Sequence, residues 1–517
     1  MASKISLLFV AAALFCGCVA RTVERQTSLP GEFTRLKSAD MDKLKAQSPH
    51  LKAHMKDGSL YVFSRWDYTK AGSEISGEAQ LFDVSRRAFP SKLYTLGLDS
   101  VALLETNVIS NSGAAVAMTV FTGITAAMTA FCITNPKACF GSCPTFYVSD
   151  GDTMRLQAEG FSSSIAPSLE AADVDALYHG RSNNGTVNIV MRNEALETHV
   201  VRYVDLLVVP RKEACRVFSE GDRRFWESTS VNPPLSAQAP EGDCLPLVRN
   251  ADGIERFSRA DETYLGAKET LDLAFRVRPD RSYGLVIACR QTLLPTYMLY
   301  QAFAYMGSDV GHWLAQMERK AVPKQYSSME LLLGGIEAMT RGEDGQWKIQ
   351  GAIDEHGPLA TDVHIISLST LRDSTLSVRL RMTKGTWRID YVALAELSQE
   401  LQPVRLRPRI VLRNNQEDSE ALALLLDSSK VLVTLPGDTY TLAYNLPDSY
   451  PDYELFLESR GYYLEWIRKE WIDEQDPMYL AEMFLTPESA LRRMTKEFNR
   501  VEAQMEDCFW RSRYAKQ

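Results

Sequence analysis

From Ser59 to its last fifty residues the chain keeps returning to short runs of β-branched and aromatic residues closed off by Gly, Pro, Asn or Asp. The runs at 60–63, 80–84, 101–104, 186–190 and 200–209 are followed by others at 347–349, 363–368, 376–382, 387–394, 404–411, 431–434 and 440–444. Segments of this length and composition, bounded by turn formers, predict strands. Their density predicts antiparallel sheets or sandwiches. The expected class is α+β: two β-rich domains over 58–325 and 326–475, with helical inserts and a helical C-terminal segment over 476–517.

The inserts are marked by helical spacing or by loss of charge. Residues 106–136 carry no charge, and the centre of this stretch, 113–132, would be about 30 Å long as a helix. Thr119, Thr122, Thr125 and Thr129 fall on one side of it and Val116, Val120, Ile124 and Met128 on the other. That pattern suits a helix buried in a soluble core, and its length also suits a membrane span. A helical hairpin is expected over 294–320, an uncharged helix followed by a more polar one, and a further helix over 328–339. At the C-terminus Thr486 can cap a helix, Pro487 suits its first turn, and Glu488 faces the positive end of its dipole. Leu491, Met494, Phe498, Val501, Met505 and Cys508 step by three and four, so this amphipathic helix should dock on the body of the protein.

The chain starts with Lys4, an apolar run over 5–15, and then Cys16, Gly17 and Cys18. An apolar run this short fits the core of an export signal rather than a membrane-spanning helix. The ending at Phe15, Cys16, Gly17 and Cys18 resembles a bacterial lipoprotein cleavage box. The resemblance implies that residues 1–18 are removed as a signal peptide and that Cys18 becomes the lipidated first residue. Under the same pattern Val19 implies onward sorting to an outer membrane, which would place the protein in the bacterial cell envelope and make the membrane its first partner. An ordinary signal cut near Gly17 or Ala20 is the alternative. Residues 19–57 are polar, with scattered lysines and aspartates such as Lys37, Asp40, Lys52 and Asp57, and are expected to form a tether.

Charge narrows the range of partners. With 57 Lys plus Arg against 66 Asp plus Glu the net charge is −9, so no basic surface is imposed that would neutralise phosphates, and nucleic acid is not expected as a partner. An apolar content of 45% rules out disorder as the main state.

Export also changes how cysteines are read, since oxidising compartments favour disulfides. Seven remain beyond the signal: Cys132, Cys139, Cys143, Cys215, Cys244, Cys289 and Cys508. Cys215 and Cys244 bracket a Pro-rich loop and are expected to pair. The most distinctive local sequence runs Cys139, Phe140, Gly141, Ser142, Cys143, Pro144, Thr145, Phe146, Tyr147. Gly141 permits positive φ between the cysteines, and Pro144 can begin an extended segment without an amide partner. This run resembles a hallmark of an uncharacterised bacterial exported family, Cys-aromatic-Gly-x-Cys-Pro-x-Tyr ahead of a strand, with Phe146 where the pattern has Tyr. No activity attaches to that resemblance. A structural turn is expected; a redox pair or a metal site at Cys139 and Cys143 are the other readings, although the spacing is not that of a thioredoxin motif and no fourth metal ligand is in view.

Among the acidic and imidazole groups, Glu194, Glu197 and His199 lie closest together, and Glu197 and His199 would share a strand face. A second grouping is Asp354, Glu355, His356 and Asp362. Two short passages, 193–198 ahead of 205–209 and 436–438 ahead of 456–463, resemble β-rich accessory modules of large exported bacterial proteins. Tyr462, Tyr463, Trp466 and Trp471 could form an aromatic platform for a glycan or a protein partner, or pack in a core. The sequence contains no Gly-rich phosphate loop and no nucleophile elbow. It therefore predicts no catalytic residue, no metal ligand set and no cofactor. The expected role is binding, assembly or scaffolding by a lipid-anchored envelope protein; the alternatives are an envelope enzyme using thiol or metal chemistry at Cys139 and Cys143, and a membrane-spanning component through 113–132.

Overall fold

The computed structural model describes residues 21–111, 143–307 and 333–511 apart from short segments, of which 83–88, 165–169 and 466–473 are the longest. The chain is mostly β, in several antiparallel sheets with a few helices. The stretches expected as the 113–132 helix and as the second arm of the 294–320 hairpin lie outside the described residues, as do Cys139 and Gly141.

The first sheet has six strands in the order Arg21–Ser28, Val101–Asn111, Leu51–Met55, Leu60–Thr69, Glu74–Phe82 and Lys92–Gly97. Helices Pro30–Phe33 and Ser38–Gln47 lie on it, and Phe33, Met41, Phe63, Trp66 and Leu104 share its core. The expected tether over 19–57 is thus corrected: much of it forms two strands and two helices of this unit. Lys52 explains the misreading. Its charge suggests solvent, but the side chain is buried and donates to Glu105 Oε1 at 2.7 Å, a partner distant in sequence.

Two sandwiches follow, one nested in the other. In the outer sandwich, one sheet runs Gln416–Glu417, Ile410–Arg413, Thr439–Asn445, Thr186–Arg192, Thr145–Asp150, Thr153–Glu159. Its partner sheet runs Val404–Leu406, Glu197–Pro210, Tyr453–Glu465, Ala171–Ala176, with Leu432–Thr434 also pairing to Glu197–Pro210. Phe146, Ile189 and Leu442 of the first sheet share a core with Val201, Leu206 and Leu457 of the second. Glu197–Pro210 is buried along almost its whole length because both of its faces are covered. Val201 and Leu206 face that core, while Leu207 and Val209 pack with Val217 and Phe225 of the inner sandwich.

The inner sandwich is built from what lies between. One sheet centres on Tyr283–Gln291 and Trp387–Leu401, with Asp362–Ser367, Arg216–Glu220 and Arg224–Asn232 beside them; the other centres on Lys268–Arg276 and Thr375–Thr383, with Ile336–Arg341 and Trp347–Ile353 beyond. Leu271, Phe275, Ile287, Leu380 and Trp387 belong to their common core. The turn at Lys384 and Gly385 carries the chain from one sheet to the other. Gly385 has φ +80°, and a Cβ there would stand 2.5 Å from Ala260 Cα, so both conformation and space call for glycine.

These pairings replace the expected domain boundary near 326, since strands on either side of it share sheets. The helix expected over 328–339 also gives way in part, because Ile336–Arg341 is a strand whose Ile336, Ala338 and Thr340 are buried alternately. The C-terminal helix does form, over Pro487–Arg511. Leu491, Met494, Phe498, Val501 and Met505 are buried against Leu294–Met306 and Pro477–Leu485, and the Tyr297 and Phe498 rings stand 5.2 Å apart. Thr486 does not cap it through its side chain; the hydroxyl donates back to Glu482 O of the preceding helix.

Candidate functional site

The Cys-Pro motif and the Glu194–His199 grouping, separate in sequence, meet in the outer sandwich. Thr145, directly after Cys143 and Pro144, opens a strand that pairs with Thr186–Arg192, bringing Thr145 opposite Arg192. The chain then turns through Asn193 and Glu194. Thr145 Oγ1 donates to Glu194 Oε2 at 2.9 Å, and the Tyr147 hydroxyl donates to the same oxygen at 2.7 Å. The Arg192 guanidinium lies 4.5 Å from the centre of the Tyr147 ring. Cys143 is buried at the edge of the same core.

Glu197 and His199 share one face of the Glu197–Pro210 strand, as the period of two requires. His199 Nε2 stands 3.0 Å from Glu197 Oε1, and both side chains are sealed, with 1% and 0% exposure. The turn at Asn193 is tied to the second of the two sequence passages: Asn193 N donates to Asp438 O and Gly437 N donates to Asn193 O, while Asn193 Nδ2 reaches Glu197 O and Thr434 O. Asp438 in turn accepts from Leu435 N and from Arg413 Nη2. Further along, Glu197–Pro210 pairs with Tyr453–Glu465 over their whole lengths. The two passages read separately in the sequence are thus one paired element.

This arrangement joins strands and excludes solvent. A general acid or base must come within hydrogen-bond reach of the group it serves, and a sealed pair on a doubly covered strand leaves no room for a substrate atom. Glu194 ties its turn to the Thr145–Asp150 strand, whereas Glu197 and His199 meet each other within one strand.

Asp362 of the second grouping is described, whereas Asp354, Glu355 and His356 are not. Asp362 accepts from Ala176 N at 3.1 Å and stands 2.9 Å from His364 Nε2. Asp175 and Glu159 belong to the same neighbourhood. Burial, with the charges of Asp173, Asp362 and Glu159, pushes the Asp175 carboxyl well above the usual range, and its Oδ2 has no hydrogen-bond partner among the described residues. Among those residues no group of three or more His, Cys, Asp and Glu could hold a metal ion, and no helix is long and apolar enough to cross a membrane.

Two expectations are corrected. Cys215 and Cys244 are unbonded buried thiols: Cys215 precedes the Arg216–Glu220 strand, whereas Cys244 lies in the core of the inner sandwich. Burial raises the Cys244 thiol above its ordinary range, and burial pushes Cys289 up further. The aromatic platform does not form from its described members, since neighbouring strand positions point to opposite faces. Tyr463 enters the outer sandwich core, whereas Tyr462 packs with Val200, Val431 and Leu464 on the other side; Trp466 and Trp471 lie outside the described residues.

Neither a family model nor a curated protein matches the chain. Among solved structures it is similar to a GH86 protein, BuGH86, in complex with neoagarooctaose, at 7% identity over 44% of this chain and 33% of that one, with a TM-score of 0.16. Another is the GH31 α-xylosidase from Xanthomonas citri, at 6% identity over 80% of this chain and 32% of that one, with a TM-score of 0.13. The chain spans about a third of the length of each. At these scores the likeness carries no functional argument.

Proposed function

We propose that the chain is an exported bacterial envelope protein, anchored by lipid at Cys18, that binds or scaffolds and does not catalyse. The observation that carries the non-catalytic half is the sealing of Glu197 and His199, the best acid and imidazole pair in the sequence, on a strand of the outer sandwich that is covered on both faces. The anchored half rests on the apolar run over 5–15 followed by Gly17 and Cys18. The fold supports it as well: sheets nested through a long, doubly covered strand make a stiff body suited to presenting a surface.

Mass spectrometry of the native protein from fractionated membranes tests the anchor. The expected N-terminal peptide begins at Cys18 and carries lipid, and Cys18→Ala shifts the protein to the soluble fraction. A mature end downstream of Cys18 without lipid removes the anchor from this reading. For the non-catalytic half, Cys143→Ser is the discriminating variant: loss of cellular function with an unchanged melting temperature would transfer the function to thiol chemistry.

A further inference from the structure

Where the chain leaves the outer sandwich the surface is hollowed into a cleft of about 390 Å³, lined from three separate stretches within 177–181, 211–216 and 452–455. Leu177 and Leu455 are buried in its floor, and Leu177 N donates to Leu455 O at 2.8 Å. Charge alternates along the wall. Arg216 Nε donates to Glu454 Oε1 at 2.6 Å. Arg211 Nε stands 3.5 Å from that same oxygen and its Nη2 stands 3.6 Å from Asp452 Oδ1, both too long for hydrogen bonds. Arg211 Nε is shut off from water, so a ligand in the cleft would meet the outer nitrogens of this guanidinium, of which Nη1 donates to Lys212 O at 3.2 Å.

The arms that carry these groups are fixed. Arg181 Nη1 donates to the Tyr178 and Gly180 carbonyls, both at 2.9 Å, and pairs with no carboxylate among the described residues. The Arg216 guanidinium lies 4.8 Å from the centre of the Tyr178 ring, whose hydroxyl donates to Val217 O at 2.8 Å. Arms already ordered lower the entropy lost on binding.

Guanidinium donors and carboxylate acceptors therefore stand side by side in an open cleft within the ~300–1,000 Å³ typical of small-ligand sites. A bare anion would gain from the arginines and lose to Asp452 and Glu454. An apolar ligand would strand all of them without water. A sugar hydroxyl both donates and accepts, and adjacent hydroxyls on a pyranose ring match a guanidinium beside a carboxylate. We propose that this cleft binds one or two pyranose units of a neutral glycan, with Arg181, Arg211, Asp452 and Glu454 making the polar contacts. The proposal rests on the binding role given above but not on the anchor at Cys18.

Calorimetric titration of the full chain with cellobiose, lactose and chitobiose, and with inorganic sulfate as the anionic control, tests it. At least one disaccharide should bind with one-to-one stoichiometry, and Arg211→Gln and Asp452→Asn should each weaken it about tenfold, the loss of one hydrogen bond to a charged group. The melting temperature should hold. Should either variant unfold, the exposed Arg181→Gln serves in its place. No binding by any of the three sugars, binding unaffected by the variants, or sulfate displacing the sugar would overturn the proposal. A failed titration with lipid still present on Cys18 removes the glycan site alone, and binding with an unlipidated N-terminus removes the anchor alone.

Discussion

His199 Nε2 and Glu197 Oε1 stand 3.0 Å apart on one face of a strand that is covered on both sides. Removing one member of a buried hydrogen-bonded pair leaves the other without its partner in a medium that cannot solvate it. Glu197→Ala should therefore destabilise the outer sandwich by about 2 kcal/mol, read as a lower midpoint in urea unfolding. An unchanged midpoint would mean that the pair is not sealed.

Glu170 gives a pH-dependent test. Burial alone would raise its carboxyl, but bonds from Arg202 Nε and Nη2 at 2.6 and 2.7 Å and from Arg460 Nε at 2.7 Å more than offset it, so the carboxyl sits below its ordinary value. The unfolded chain then holds a proton that the folded chain does not. The stability that Glu170 contributes is present above its unfolded value of about 4.5 and is lost as pH falls through the lower folded value. Glu170→Gln should cost stability at pH 7 and progressively less in acid; a penalty independent of pH would count against the ion pairs.

Asp175 has the opposite sign. Its carboxyl is raised from the ordinary 3.8, so the folded chain keeps a proton that the unfolded chain releases, and its contribution to stability declines as pH rises above that value. Asp175→Asn should raise the melting temperature at pH 7 and leave it nearly unchanged at pH 3. A variant less stable than the parent at pH 7 would show that the hydrogen bond from the Glu159 backbone outweighs the cost of burial.

The thiols of Cys215 and Cys244 offer a chemical check. Both should resist alkylation in the native protein and react fully in denaturant without reductant, because both are buried and unbonded. Reaction that requires reductant would restore the disulfide.

At the C-terminal seam Phe498 is 2% exposed and packs on Tyr297. Phe498→Ala should cost about 3 kcal/mol through lost burial and the cavity left behind, measured by thermal or denaturant unfolding. A cost below about 1 kcal/mol would mean that the helix is loosely docked.

What the sequence makes legible follows from how local each signal is. Val187, Ile189 and Met191 are buried in turn on a strand that opens with a short β-branched run, Thr186 to Val190, so it can be seen from composition alone. The Phe498 seam is equally local. Lys52 is different, because the Glu105 that makes its burial tolerable belongs to another strand. Residues 328–339 have helix-like apolar spacing, yet the alternation at Ile336, Ala338 and Thr340 is set by the neighbouring strand Thr375–Thr383. The pairing of Asn193 with Gly437 and Asp438 had a trace in the sequence as two separate passages, but nothing there joined them. The arginine cleft left no signal at all, since Arg181, Arg211 and Asp452 come from three segments that meet only after the sandwiches form.

The nesting of one sandwich within the other also sets a timetable. Glu197–Pro210 emerges from synthesis early, but Val404–Leu406 and Tyr453–Glu465, the strands that flank it, follow only after the whole inner sandwich has been made. Until then an apolar strand with two open edges waits unpaired, a state prone to joining the wrong neighbour. The inner sandwich is the part that can complete itself first. By folding, it draws residues 210 and 404 together and shortens the loop that the outer sandwich must close, lowering the entropy cost of that late step. On this topology the inner sandwich can close from contiguous chain, whereas the open edges of Glu197–Pro210 are covered only once the strand Tyr453–Glu465 has arrived.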